Sequence, residues 1–481
     1  MTMLRGAGPL PLHVSGTHVL DSGDNYVALH GLNICSLEWD ARGDHIEQSV
    51  KVALDDWHAN IIRLPLNQDR WFGKTADSPD GGKAYRALVH RLVAAIKQRG
   101  DYAILDLHWS DCGEWGQNIG QHQLPDENSV AFWKSCAADY ANEPAVIFDL
   151  YNEPIDADWK VWRDGGRVTE NFQGKSLTYQ ATGLQTLLDA VRSTGARNLV
   201  HCGGPGYASR LDYPSSALLS DPHGNGVVYV SHFYPGWENV QSWEARIEAA
   251  QKRLPVFLEE FGDDNPSAPM DTPARRIGQI FAVIRKDHLN WTAWCMHPTA
   301  RPCVIRDWTY APTPEFGALV KLALEGKPVP IAPRKTTGVT QVAYEGKLED
   351  PFQNWSSATV DLNAADPDNS GQHVMGVSIE PGKQLIIGTV PFDGLGFRGV
   401  QFEIRPSAGT SPALTLAASI MDKPHPAVPL PALTDGWNKV FVSFDQLGIS
   451  GMEDVKSFTI RNGDDSKPSS FLIRRMEVVA K

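Results

Sequence analysis

Apolar and polar positions alternate in two different ways along this chain. Through the first two thirds, short apolar, β-branched runs recur at residues 27–33, 61–66, 102–108, 146–152, 199–203, 227–232, 256–261 and 291–295. Their starts are separated by 34, 41, 44, 53, 28, 29 and 35 residues, room each time for strand, loop, helix and return. Helical periodicity fills several of the gaps and predicts helices over 84–99, 176–193 and 273–286. Eight such units closing on themselves make a (β/α)8 barrel. An open doubly wound sheet would need a Gly-rich turn after the first strand, where the chain instead reads Cys35-Ser36-Leu37-Glu38. Residues 13–27, centred on Asp21-Ser22-Gly23-Asp24, predict a hairpin ahead of the first strand, placed to cap the barrel floor.

The pattern changes near residue 326. Lys327-Pro328-Val329-Pro330-Ile331-Ala332-Pro333 predicts a stiff, extended linker. Beyond it, alternating runs at 358–362, 373–379, 384–390, 399–404, 414–419, 439–444, 457–461 and 471–479 are punctuated by Gly, Pro, Asn and Asp. That is the signature of an all-β sandwich or jelly roll. The expected organisation is a barrel over 1–326, a linker over 327–340 and a sandwich over 341–481.

Charge narrows the partners. The 481 residues carry 44 basic and 57 acidic side chains, a net charge of −13 with no basic run, so nucleic acid and anionic membranes are not expected ligands. No apolar run reaches the roughly 18 residues of a membrane span. Fifteen Trp is a high count, and flat apolar rings suit the faces of sugars. Residues 1–14 lack a basic stretch followed by an apolar one, so no signal peptide is expected there, although a secreted protein is. Six scattered cysteines contain no CxxC pair. They read either as free buried thiols, the preferred reading, or with Cys295 and Cys303 stapling one loop.

Polar groups gather at the carboxyl ends of the predicted barrel strands, where barrel enzymes carry their chemistry. They are Arg63 on strand two, His108 and Trp109 on three, Asn152-Glu153-Pro154 on four, His232 and Tyr234 on six, Glu259-Glu260 on seven and Trp294 on eight. Strands four and seven face each other over the barrel mouth, so Glu153 and Glu260 can form a carboxylate pair. About 5 Å between such groups suits a retaining glycosidase, with one as nucleophile and the other as acid and then base, and no metal or other cofactor. Cys112, His108, Asp111, Glu114 and His122 match no compact metal-ligand spacing. A structural Ca²⁺ on the acidic loops stays open.

Asn152-Glu153-Pro154 after an apolar strand resembles the acid/base motif of glycoside hydrolase family 5, and Glu260-Phe261-Gly262 resembles that family's nucleophile strand. Arg63, His108, Asn152, His232, Tyr234 and Trp294 match the family's recurrent companions in order. The resemblance implies a retaining enzyme with Glu153 as acid/base and Glu260 as nucleophile. Glu259 should point away from the site, by strand alternation. Arg63 would hold Glu260 ionised, Tyr234 would donate to it, and Asn152 would bond the sugar 2-OH. His108 and His232 would bond hydroxyls or carboxylates, for which neutral imidazole suffices, and Trp294 would floor the cleavage point. The commonest substrate of the resembled family is cellulose-type β-1,4-glucan; mannan, xyloglucan and exo-acting glucosidase activity share the motifs, and a non-catalytic glycan binder is disfavoured by the presence of both carboxylates. Further subsites are expected among Trp39, Trp71, Trp109, Trp115, Trp159, Trp237 and Trp308, with core packing as the alternative for each. Glu38 either closes the non-reducing side into a pocket or, by preference, is a solvated surface residue. The C-terminal module resembles carbohydrate-binding modules through Phe352-Gln353-Asn354-Trp355-Ser356 and Asp435-Gly436-Trp437, where each Trp is a sugar platform or a core residue.

Overall fold

The computed structural model describes residues 8–235, 238–263, 272–334, 336–407, 412–420, 423–464 and 467–481. Eight strands close into one parallel barrel: β1 (His30–Asn33), β2 (Ile61–Asn67), β3 (Tyr102–Trp109), β4 (Val146–Asp149), β5 (Val200–Gly203), β6 (Val227–Phe233), β7 (Val256–Phe261) and β8 (Asn290–Ala293). Each of the eight apolar runs became a strand, because a parallel strand covered on both faces must be apolar almost throughout. β2 is buried at all seven positions. The exceptions to that apolarity share levels in the barrel. The register sets Asp106 of β3 opposite Asp149 of β4, and Asp149 opposite His201 of β5. A register shift between Ser231 and His232 brings His232 opposite Glu260.

Below this polar layer the barrel floor is apolar. Leu12 and Val19, from the paired strands Leu12–Ser15 and His18–Asp21, are buried in one cluster with Ile61, Ile104, Ile147, Val230 and Phe257. The helices Lys83–Gln98 and Pro273–Lys286 form where the periodicity predicts them.

The predicted helix over 176–193 needs correction. Gly165–Phe172 and Lys175–Thr182 pair as an antiparallel hairpin, and the helix Leu184–Ser193 begins only after Gly183. Its second strand has a period of two: Tyr179 and Ala181 are buried and Leu177 is half-buried, while Ser176, Thr178 and Gln180 are exposed. Leu184, Leu187, Leu188 and Val191 then supply a true helical face.

The chain divides into two compact units. One holds the barrel up to Pro330; the other holds 331–481 together with short stretches around 238–239 and 272–276. The second unit contains two antiparallel sheets. One runs Thr359–Asp366, Asn369–Ile379, Ser469–Ala480, Phe397–Pro406, Asn438–Ser443, and the other Gln353–Asn354, Leu385–Phe392, Val455–Asn462, Leu414–Ile420, Lys423–Pro424. A shared core of Phe392, Phe397, Phe444 and Phe458 with many aliphatics fills it. Neither tryptophan of the resemblance is in that core. Trp355 is 40% exposed, and Trp437 is half-buried with the Arg474 guanidinium 4.2 Å from its ring centroid.

One buried acidic cluster in the barrel unit has a consequence for stability. Asp126 caps the helix Glu127–Tyr140 by accepting from the amides of Asn128 and Ser129. Asp111 accepts from Asn128 Nδ2 and Gln68 Nε2, and Asp69 from the Gly116 amide. Burial, aided by the neighbouring carboxylates, pushes Asp111 up to about 9 and Asp69 up to about 6. Carboxyls with raised values bind protons in the fold that the unfolded chain has already lost. Their stabilisation is therefore complete below about pH 4 and declines as pH climbs toward the folded values. Asp111→Asn should flatten that decline and raise Tm at pH 8–9 relative to the parent. Parallel Tm curves for the two proteins between pH 5 and 9 would refute the assignment.

Candidate active site

Arg63 organises the top of the barrel. Its side chain is wholly buried, and five oxygens surround its guanidinium. Nη1 donates to Asn33 Oδ1 at 3.0 Å and to Glu260 Oε1 at 2.5 Å. Nη2 reaches Asp149 Oδ2 at 2.9 Å, Asn152 Oδ1 at 2.8 Å and Asp106 Oδ2 at 3.0 Å. A guanidinium suits this post because it offers several fixed donors and keeps its charge when buried.

Glu260 is held on both oxygens, since Tyr234 donates its hydroxyl to Oε2 at 2.8 Å. Burial alone would raise its value, but His232, Arg63 and His108 together hold the carboxyl below its ordinary range. Glu153 is more open, its side chain 19% exposed, and Oε1 lies 2.9 Å from His232 Nδ1. That same nitrogen is 3.5 Å from Glu260 Oε2. One carboxylate oxygen of Glu153, one of Glu260 and a nitrogen of His232 all lie within 4.8 Å of one another.

A neutral imidazole would suffice for the contacts expected of His232. Burial by itself would lower its value, but Glu260, Glu153 and Glu259 push it up to about 10. The carboxylates on either side of Nδ1 favour its protonated form. His108 is likewise raised despite burial, by Asp106, whose Oδ2 lies 2.6 Å from Nδ1. Its ring stacks on Trp294 at 5.4 Å between centroids and 13° between planes, and Nε2 faces Asn152 Nδ2 at 3.4 Å. The structure thus brings together Arg63, His108, Asn152, Glu153, His232, Tyr234, Glu260 and Trp294. Glu259 is fully buried on the inner side, 2.8 Å from His201 Nδ1 and 3.7 Å from Arg63 Nε.

Several weaker candidates fare differently. Glu38 is not a surface residue: it is 1% exposed, Oε2 accepts from the Ser36 amide at 2.7 Å, and burial pushes it up to about 7. The carboxylate is thus folded back against its own turn, within electrostatic reach of His108. Trp71 is core, wedged against Tyr85 and Phe132. Trp39 and Trp109 are half-buried neighbours, 6.4 Å apart and tilted by 50°. Trp115 packs on Phe72 beneath Lys74, Trp159 on Tyr213 and Arg210, and Trp308 on His45. Trp237 lies outside the described residues. All six cysteines are free and buried, with Cys295 Sγ 3.2 Å from Cys35 Sγ rather than bonded to Cys303.

Sequence reading missed Asn33, Asp106, Gln121 and Asp149, which complete the site. Gln121 takes a hydrogen bond from Asn152 Nδ2 at 2.9 Å and donates to the Glu153 carbonyl at 2.7 Å. A charged residue inside an otherwise apolar strand, as in Ile104-Leu105-Asp106 and Ile147-Phe148-Asp149, is the signal that marks two of them.

A barrel with acidic, imidazole and indole groups at its strand ends defines a class, the barrel glycoside hydrolases. The family model for cellulase, glycosyl hydrolase family 5, matches residues 20–300, and the chain belongs to that family. It is 22% identical over 284 residues to endoglucanase MaCel5A of Microbulbifer sp. (strain ALW1), covering 59% of this chain and 50% of that protein. It is 27% identical over 258 residues to endoglucanase 5 of Pectobacterium carotovorum subsp. carotovorum, covering 53% and 44%. The chain thus spans about half the length of the curated relatives it matches. The β-glucanase SdGluc5_26A of Saccharophagus degradans, solved with cellotetraose, shares the fold at a TM-score of 0.53 and 19% identity, over 66% of this chain and 94% of that one. Among the described residues no helix is long and apolar enough to cross a membrane.

Proposed function

We propose that this chain is a retaining endo-β-1,4-glucanase that cleaves cellulose-type chains by double displacement, with Glu260 as nucleophile and Glu153 as acid/base. The observation that carries this reading is the approach of the two carboxylates to within 4.8 Å. Inverting enzymes separate theirs by roughly 6.5–9.5 Å to seat a water, and retaining ones by about 5 Å.

In the first step a Glu260 oxygen bonds to the anomeric carbon while the glycosidic C–O bond breaks, and Glu153 gives its proton to the leaving oxygen. In the second, Glu153 takes a proton from water, the water oxygen bonds to the anomeric carbon, and the ester to Glu260 breaks. Arg63 and Tyr234 keep Glu260 anionic and aimed. Esterification removes the Glu260 charge before the second step, so the nucleophile no longer repels negative charge beside it when water is activated. Asn152, fixed by Arg63 and Gln121, offers its amide to the sugar 2-OH, and Trp294 lies under the ring.

The relatives' names favour glucan over mannan or xyloglucan, and a polymeric substrate of that kind would be met outside the cell. The C-terminal sandwich, with Trp355 and Trp437 outside its core, is proposed as a carbohydrate-binding module. The test is proton NMR of a soluble cello-oligosaccharide digest in its first minutes, with product sizing on a polysaccharide panel. The β-anomer should appear first and mixed oligomers should come from β-1,4-glucan. An initial α-anomer would overturn the mechanism, and glucose alone, or mannan or xyloglucan preference, the endo-glucanase reading.

A further inference from the structure

Away from the carboxylate pair, three side chains with metal-binding atoms converge in the barrel unit. Cys112 and His122 belong to the long loop after β3, and Glu170 to the hairpin strand Gly165–Phe172. Cys112 Sγ lies 3.1 Å from His122 Nδ1 and 3.6 Å from Glu170 Oε1, and that oxygen is in direct contact with His122 Nδ1. One atom from each falls within 4.8 Å of the other two. Cys112 and His122 are buried and the Glu170 side chain is 11% exposed. Cys112 also sits at φ 59°, a left-handed conformation that costs a non-glycine residue energy and persists only where surroundings impose it.

The convergence of three donor atoms suits a cation at this place. The Asn118 carbonyl can only accept, so His122 Nε2, 2.5 Å away, carries the ring hydrogen. In the neutral ring Nδ1 is then a lone pair, and it faces a carboxylate oxygen and a sulfur. The Gln123 amide donates to Glu170 Oε2 at 2.6 Å, which turns Oε1 toward the ring. Without a metal, two protons are needed to join these atoms, one on Nδ1 shared with Glu170 Oε1 and the Cys112 thiol hydrogen aimed at that oxygen from 3.6 Å, whereas one metal ion takes all three. An imidazole whose second nitrogen donates to a backbone carbonyl is the usual dress of a metal-bound histidine.

We propose that Cys112, His122 and Glu170 form a structural Zn²⁺ site. Thiolate, imidazole and carboxylate are the donor types this borderline-soft ion selects, and harder Ca²⁺ or Mg²⁺ would not take the sulfur. Binding forms Zn–S, Zn–N and Zn–O bonds to the three side chains, leaves the fourth position to a water, and releases the Cys112 thiol proton to solvent, with no change of oxidation state. The spacing of Cys112 and His122 alone concealed the site, because its third member arrives on a hairpin 48 positions beyond His122.

The site clamps that hairpin to the loop that supports Asn152 and Glu153. Gln121, next to His122, bonds both of them, and the Tyr151 hydroxyl donates to the His122 carbonyl at 3.1 Å. Metal binding does not depend on the roles proposed for Glu153 and Glu260.

The test uses the full chain, stripped with a chelator and titrated with Co²⁺ and then Zn²⁺. One Co²⁺ per chain should bind, with thiolate-to-cobalt charge-transfer absorption in the near ultraviolet that Zn²⁺ abolishes. Cys112→Ser should remove that absorption, and Glu170→Gln should weaken Zn²⁺ binding at least about tenfold. Zn²⁺ should raise the Tm of the parent in proportion to the logarithm of its concentration, and leave Cys112→Ser unmoved. Absence of stoichiometric Co²⁺ binding by the parent overturns the proposal without any variant. So does charge transfer that survives Cys112→Ser, because it would belong to another thiol.

Discussion

Glu260→Ala is expected to lower kcat/KM on a soluble β-1,4-glucan by at least about 10⁴-fold, about 5.5 kcal/mol of barrier. Without the carboxylate no glycosyl ester forms, and nothing else near the site replaces it, since Glu259 is turned inward against His201. Glu153→Ala should lose less on substrates with good leaving groups, because only the proton donor is missing from the first step. Added azide separates the two. In Glu260→Ala it attacks the anomeric carbon directly and gives the α-glycosyl azide. In Glu153→Ala it intercepts the ester on Glu260 and gives the β-azide. Circular dichroism guards against mistaking unfolding for lost chemistry, as removing the Glu260 carboxylate leaves Arg63 Nη1 and Tyr234 each short of an acceptor. Parental turnover by either variant, or azides of swapped configuration, would sink the assignment.

What could be read from the sequence followed from how each part is buried. The barrel strands were legible because both of their faces are covered, so each reads as a largely apolar run broken by few polar groups. Arg63, Glu153 and Glu260 were visible for the same reason: a charge within or just after such a run has few structural excuses. The hairpin Gly165–Thr182 was hidden because it is an insertion with one solvated face, and its Thr- and Gln-rich strand borders a real helix. Glu38 misled because a carboxylate after a strand is normally solvated, whereas here it is buried and bonded to the Ser36 amide. The raised value of His232 is a property of three dimensions alone: two glutamates 107 positions apart, Glu153 and Glu260, flank one imidazole. Trp71 shows the converse, an aromatic beside the right strand whose neighbours make it core.

Arg63→Ala is expected to destabilise the barrel by about 3–5 kcal/mol, the cost of leaving a buried charge cluster without its counter-ion. That is a large share of the roughly 5–15 kcal/mol that holds a typical domain together. The effect exceeds the loss of any one contact because the guanidinium is shared. Asp106, Asp149 and Glu260 all bond it, Glu259 lies 3.7 Å from its Nε, and all are nearly or wholly shielded from water. In the parent, Arg63 helps hold Glu259 and Glu260 below the ordinary carboxylate range, so their stabilisation is complete at neutral pH and lost as pH falls through the folded values. In the variant the same carboxyls rise, and acid relieves them by protonation. The stability gap between parent and variant should therefore be widest near pH 7 and narrow toward pH 5. Denaturant unfolding followed by tryptophan fluorescence at both values measures it. A gap that stays constant with pH would mean Arg63 acts by filling space, and the electrostatic account of the barrel top would fail with it.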